Sequence, residues 1–206
     1  APDTLYYYCT NHGGMGNSIS VTTDETKADP YAWKNVLALP LVGQSADVSN
    51  QINCTSTTNT ITNSGVDFSD SYGNFYSRSG DFTGAATDVL NTASDNTKYQ
   101  MGTDDFTCEC WIYSTSTSGT QNVFQVFAGG SKYYGIYWNG SSLRFYIAGS
   151  GGAEISAGDV VMGTNRWIHV ALVRDSGTLR AFIGGTQVVT GSVTANINED
   201  GYVAYV

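Results

Sequence analysis

Between residues 105 and 189 the chain alternates. "DFTCECWIYS", "QNVFQVFAG", "KYYGIYWNG", "SLRFYIAGS", "RWIHVALVRD" and "TLRAFIGGTQVV" place apolar side chains at every second position and end in Gly, Asn, Asp or Ser. A period of two marks half-buried strands bounded by turns. Tyr, Phe, Val, Ile and Thr dominate these runs, as a pleated, half-buried surface prefers. Asn139-Gly140 supplies positive φ for one hairpin, and residues 175–177 form the turn of a second. No stretch sustains a 3.6-residue period; "TDVLNTASDN" (87–96) is read as a single helical turn. The pattern predicts an all-β fold, an antiparallel β-sandwich.

Alternation also assigns faces. Cys108 and Cys110 fall on one face of their strand with Phe106 and Ile112, and Glu109 and Trp111 fall on the other. Trp167 and His169 share a face, which makes Trp167 a core anchor and His169 a packing residue. Tyr133, Tyr134, Tyr137 and Trp138 crowd one hairpin, and alternation forbids burying all four on one side. Tyr134, Tyr137 and Trp138 are therefore candidate ligand-binding residues, since sugars use aromatic rings for stacking and polar tips for hydrogen bonds. Packing against the second sheet or an oligomer interface explains the same residues equally well.

Ahead of this series, residues 5–8 and 18–22 read as two strands flanking a glycine-rich turn. Residues 22–35, polar and interrupted by Pro30, read as a linker. The expected organisation is a short N-terminal module (1–21), a linker (22–35) and one β domain (36–206).

Composition narrows the function. Only 13% of residues are charged, and the net charge is −9. That balance opposes binding to a phosphate backbone or an anionic membrane, so nucleic-acid binding and membrane insertion are excluded from the expectation. No apolar run approaches the roughly 18 residues of a membrane helix. The chain opens at Ala1 and closes on a strand-like "YVAYV", and it is read as an excised piece of a longer protein whose signal peptide cannot be assessed. Of the four cysteines, Cys54 is the plausible partner for Cys108 or Cys110; most are expected to be free thiols, as suits assembly in a reducing compartment. The sequons at Asn53 and Asn139 arise by chance in a Ser/Thr-rich chain.

Taken together, "DFTCECWIY", "YYGIYWNGSSLRFYI", "NRWIHVALVRDSGTLRAFIGGTQV" and the earlier "GDFTG" resemble the laminin-G-like, concanavalin A-like jelly rolls over roughly residues 36–206. The resemblance implies a sandwich whose glycine-led closing strands come after Val206. The lead-in segments "NVLALPLVGQSADVSN" and "GVDFSDSYGNFYSRSGDFTG" resemble those of large structural proteins of marine phages and bacteria. Calcium is common between loops of laminin-G-like domains, and Asp159 and Asp175 are possible ligands without a matching motif. Some jelly rolls of this superfamily are laminarinase-type glycosidases. A retaining glycosidase needs two carboxyls about 5–5.5 Å apart. None of Glu25, Glu109, Glu154 and Glu199 has an acidic neighbour at i+2 or i+4, so no catalytic residue is assigned.

One motif stands apart. "YYYCTNHGGMG" has the form strand, Cys9-x2-His12-x2-Met15, turn, and resembles the copper-binding end of the cupredoxins. Thiolate and imidazole give strong in-plane bonds and a thioether a weak axial one, the blue-copper set. Copper on Cys9, His12 and Met15 requires a second histidine from an upstream strand, and this chain has only His12 and His169. A turn that uses its glycines without a metal is the alternative.

The expected function is a non-enzymatic carbohydrate-binding, adhesion or structural module of a large extracellular or virion-associated protein. Its partners would be a glycan, a cell-surface polysaccharide or other subunits. A laminarinase-type glycosidase and a copper-binding or redox role are the alternatives.

Overall fold

The computed structural model describes residues 4–8, 16–20, 30–93, 97–116, 118–128, 131–139, 142–156, 163–198 and 201–206, with backbone alone for 4–8, 16–20 and 131–132. Fifteen strands run through the described residues. They are β1 (Thr4–Tyr8), β2 (Gly16–Ser20), β3 (Ile61–Ser64), β4 (Asp67–Ser69), β5 (Ser79–Asp81), β6 (Val89–Thr92), β7 (Phe106–Tyr113) and β8 (Thr120–Ala128). The series continues with β9 (Ser131–Asn139), β10 (Ser142–Ile147), β11 (Ala153–Ser156), β12 (Trp167–Asp175), β13 (Thr178–Ile183), β14 (Thr186–Ser192) and β15 (Val203–Tyr205).

Two antiparallel sheets form the sandwich. One has seven strands in the order β11-β10-β9-β8-β15-β6-β3, and the other has four in the order β14-β13-β12-β7. The alternation seen in the sequence is the reason. On β12, Ile168, Val170 and Leu172 enter the core while Trp167, His169 and Val173 face away. On β10, Leu143, Phe145 and Ile147 enter it, joined by Ile136 of β9 and Leu179 and Ala181 of β13. The β12–β13 turn places Ser176 and Gly177 at φ of 50° and 74°. Positive φ at both central residues gives the twist a two-residue hairpin needs.

Several expectations change. Residues 89–92 are strand β6 rather than a helical turn, because Leu90 and Thr92 alternate into the core while Asn91 pairs across to β15. Trp167 does not anchor the core: its parity on β12 places it with His169 on the outer face, and Ile168 takes the inner position. The glycine-led segment 201–206 itself supplies β15, between β8 and β6, and Val206 exchanges backbone hydrogen bonds with Leu90.

Cys54, Cys108 and Cys110 are free thiols. Burial, helped by the Glu109 carboxylate, pushes the Cys110 thiol up to about 12. Burial pushes Cys108 higher still. The thiolate is the reactive form, so both are inert packing groups. At the N-terminus, β1 and β2 pair in register from Thr4↔Ser20 to Tyr8↔Gly16, as two strands flanking the turn should. The candidate copper ligands Cys9, His12 and Met15 lie outside the described residues, as do most residues of the proposed linker.

The lead-in from residue 36 is organised by one buried carboxylate. Asp47 accepts hydrogen bonds from the amides of Ala38 (3.0 Å), Ser49 (2.9 Å) and Asn59 (2.7 Å). The Ser49 hydroxyl (2.9 Å) and the Asn59 side-chain amide (2.7 Å) add two more. Asn59 also donates to Val36 O at 2.8 Å, and β3 follows directly into the seven-stranded sheet. The segment thus gains its shape from a polar hub, with Val36 and Leu37 packed against the core.

Candidate functional site

The two outer faces of the sandwich differ in character. On the seven-stranded sheet, β9 to β11 carry a closed polar network. Tyr137 donates its hydroxyl to Glu154 at 2.8 Å, and Arg144 donates to the other Glu154 oxygen at 3.0 Å. Tyr146 packs edge-on to Tyr137, with centroids 5.6 Å apart, above Gly135, where a Cβ would meet Phe124 O at 2.4 Å. Partial burial and the bond to Glu154 raise the Tyr137 pKa above its ordinary value. The polar tips of Tyr137, Arg144 and Glu154 are directed at one another.

This face settles where the sequence candidates go. Tyr134 is 0% exposed and Trp138 2%, both in the core between the sheets. Tyr134 packs on Phe106 (4.9 Å between centroids), and its hydroxyl reaches Tyr99 O at 3.3 Å. Neither presents a ring to solvent, because positions 134, 136 and 138 share the inward parity of β9. Only Tyr137 of the three candidates faces outward.

The four-stranded sheet is built differently. On its outer face Trp111 lies opposite His169 and Tyr113 opposite Trp167, a register that stacks four ring-bearing side chains in a two-by-two array. Trp111 and His169 have centroids 5.2 Å apart, and Tyr113 and Trp167 5.7 Å. Residues two apart on a strand stand roughly 7 Å apart, so the two rows run side by side across the sheet. Strand β7 is an edge, and the connection from β4 to β5 extends both rows beyond it. Phe75 meets Trp111 edge-on at 5.0 Å, and Tyr72 meets Tyr113 at 4.7 Å. The connection holds a tight shape: a Cβ on Gly73 would meet Tyr76 O and Ser77 C, both at 2.7 Å.

Trp111, Tyr72 and Phe75 are exposed, while Tyr113, Trp167 and His169 are half-buried. Trp111 is 45% exposed and Phe75 68%. Glu109, two residues before Trp111, points out of the same face and lies 3.3 Å from His169 Nε2, with its side chain largely exposed. The arrangement supplies ring faces for stacking beside a carboxylate that accepts hydrogen bonds. The sequence reading placed Glu109 and Trp111 on one face; it missed Tyr72, Phe75 and Tyr113. The available signal was "SYGNFYSR", three aromatic residues in a Gly/Ser/Asn-rich connection, where burial does not explain them.

Among the described residues the two glutamates do not form a hydrolytic pair. Glu109 and Glu154 project from opposite sheets. Asp105 and Asp175 do approach each other at the β12–β13 turn, and both are engaged. Asp105 accepts the Ser176 amide at 2.7 Å; Asp175 accepts the Ser176 hydroxyl at 3.0 Å and Arg180 at 2.6 Å. Among the described residues no three His, Cys, Asp or Glu side chains cluster as metal ligands. Asp175, named above for calcium, is held by Arg180, and Asp159 lies outside the described residues.

Comparison with known proteins places this geometry. Residues 83–205 match the family model described as the concanavalin A-like lectin/glucanases superfamily. None of the curated proteins matches the chain in sequence. Among solved structures, it is similar to the receptor-binding domain of botulinum neurotoxin type G, with a TM-score of 0.58 and 12% identity, over 83% of this chain and 46% of that one. A botulinum neurotoxin type C structure, whose cell entry is described as dependent on two ganglioside molecules, gives 0.54 and 12% over 86% and 47%. Domain 4 of AbnA, an extracellular arabinanase from Geobacillus stearothermophilus in complex with arabinotriose, gives 0.55 and 15% over 84% and 80%. The chain spans about half the length of the two toxin structures. At these identities the likeness is one of fold.

Proposed function

Because this chain belongs to the concanavalin A-like lectin/glucanases superfamily, we propose that it is a non-enzymatic glycan-binding module carried by a larger extracellular or virion-surface protein. The observation that supports the reading is the outer-face array of Trp111, Tyr113, Trp167 and His169, with Trp111 exposed, widened by the exposed Tyr72 and Phe75. A sugar ring offers an apolar C–H face and a rim of hydroxyls. Exposed aromatic rings stack on the first while a neighbouring carboxylate accepts from the second. The fold neighbours, a ganglioside-dependent toxin and an arabinotriose-bound domain, are consistent with such a use. Catalysis has less support, because Asp105 and Asp175 are committed to Ser176 and Arg180.

The test is a glycan array probed with the chain and with Trp111→Ala. Removing the indole takes away one stacking platform and leaves the core untouched, so folding should persist. A single aromatic–ring contact contributes about 1–3 kcal/mol by alanine substitution in nucleic-acid stacking, and a similar loss here corresponds to roughly 5- to 150-fold weaker binding. Equal binding by the variant, or hydrolysis of the bound glycan by the chain, would overturn the proposal.

A further inference from the structure

We infer that Glu109 makes the aromatic face selective for uncharged glycans over those bearing carboxylates, an inference that rests on the array being the glycan-binding face. Three features of the face support it. The Glu109 side chain is 62% exposed and stands two residues from Trp111 on the same side of β7, so a sugar stacked on the indole lies within about 7 Å of its charge. The second acidic group of this face, Asp175, is closed onto Arg180 at 2.6 Å, so that cation is already paired with a carboxylate. The connection that carries Tyr72 and Phe75 is itself acidic: Asp67 pairs opposite Asp81 at its base, and Asp70 follows β4. Its basic residue, Arg78, is turned toward Gly43, with Nη1 3.3 Å from where a Gly43 Cβ would stand.

His169 does not reverse the sign. Its Nε2 is directed at Glu109, 3.3 Å away, and its side chain is more covered than that of Glu109. The net charge of −9 adds a weak repulsive background. A carboxylated sugar over Trp111 therefore meets the exposed like charge of Glu109, whereas a neutral one meets an acceptor for a pair of hydroxyls. Charge-assisted hydrogen bonds of that kind are roughly twice as strong as neutral ones.

At a separation of about 6 Å and a surface dielectric between those of water and of a protein interior, like charges disfavour the carboxylated ligand by roughly 3- to 10-fold. The experiment measures affinities of the chain, Glu109→Gln and Trp111→Ala for matched oligosaccharides, each presented with and without a uronic or sialic acid unit, at 0.05 M and 1 M NaCl. Neutral members should bind 3- to 10-fold more tightly than their acidic partners to the native chain at low salt. The gap should shrink at 1 M salt, where screening acts within about 3 Å. It should also close in Glu109→Gln at both salt concentrations. Acidic members binding as well as neutral ones, or a gap unchanged in Glu109→Gln, overturns the inference; if Trp111→Ala still weakens binding in that case, the glycan-binding reading stands. Absence of binding to every oligosaccharide overturns both.

Discussion

Asp47→Ala is expected to lower the unfolding free energy by about 4 kcal/mol, measured by urea denaturation, and to raise hydrogen exchange across residues 36–59 first. The carboxylate accepts five hydrogen bonds from Ala38, Ser49 and Asn59 at 2.7–3.0 Å. Alanine leaves those donors buried without acceptors, at about 1–3 kcal/mol each before relaxation, and the effects do not add in full. The same site sets an acid limit. Burial alone raises the pKa of Asp47, but the amides of Asn59, Ala38 and Ser49 and the Ser49 hydroxyl outweigh it and hold the carboxyl below its ordinary value. A depressed carboxylate pKa contributes stability that is present above the unfolded value, near pH 4, and is lost as pH falls through the folded value. The native chain should therefore lose stability below about pH 4, and Asp47→Ala should lack that component. An alanine variant within 1 kcal/mol of the native chain would contradict the hub.

Tyr134→Ala should cost about 4 kcal/mol, while Tyr137→Ala, three residues away, should cost under 1 kcal/mol. Tyr134 is fully buried against Phe106 and Phe124, and truncation leaves a cavity between the sheets. Tyr137 loses one exposed hydrogen bond to Glu154 and an edge contact with Tyr146. Thermal melts of the two variants decide the comparison. A larger loss for Tyr137→Ala would place β9 in the opposite register.

That pair of tyrosines shows what was legible in advance. Period-two alternation identified β7, β8, β9, β10 and β12, the stretch that forms β13 and β14, and the turn at residues 175–177, while β11 was not among its runs. It also separated Cys108 from Glu109 correctly, since strand parity is a local property. Which parity faces inward is a property of the partner sheet. Trp167 was assigned to the core for its size, yet Ile168, Val170 and Leu172 hold the inner face of β12. Tyr134 and Trp138 were candidates for a ligand surface or, equally, for packing against the second sheet, and they point at the four-stranded sheet. Residues 89–92 form a strand because β3 pairs with all four of them and β15, more than a hundred residues later, joins on the other side at Asn91. Nothing near position 75 announces Phe75 as a neighbour of Trp111; that contact depends on how the β4–β5 connection lies against an edge strand. The Asp47 hub was equally silent, because its donors are spread from residue 38 to residue 59.

The central claim is that a glycan lies on the outer face of the four-stranded sheet. It is tested most directly by following the indole N–H resonances during titration with the tightest-binding oligosaccharide from the array. Four tryptophans give four signals. Trp111 and Trp167 sit in the array, Trp138 is buried with its indole nitrogen unpaired, and Trp33 donates to Pro30 O at 3.1 Å in the lead-in. The account predicts saturable shifts of the Trp111 and Trp167 signals with the same dissociation constant, and stationary Trp33 and Trp138 signals. Shifts confined to backbone amides around Tyr137, Arg144 and Glu154, with Trp111 and Trp167 stationary, would contradict it.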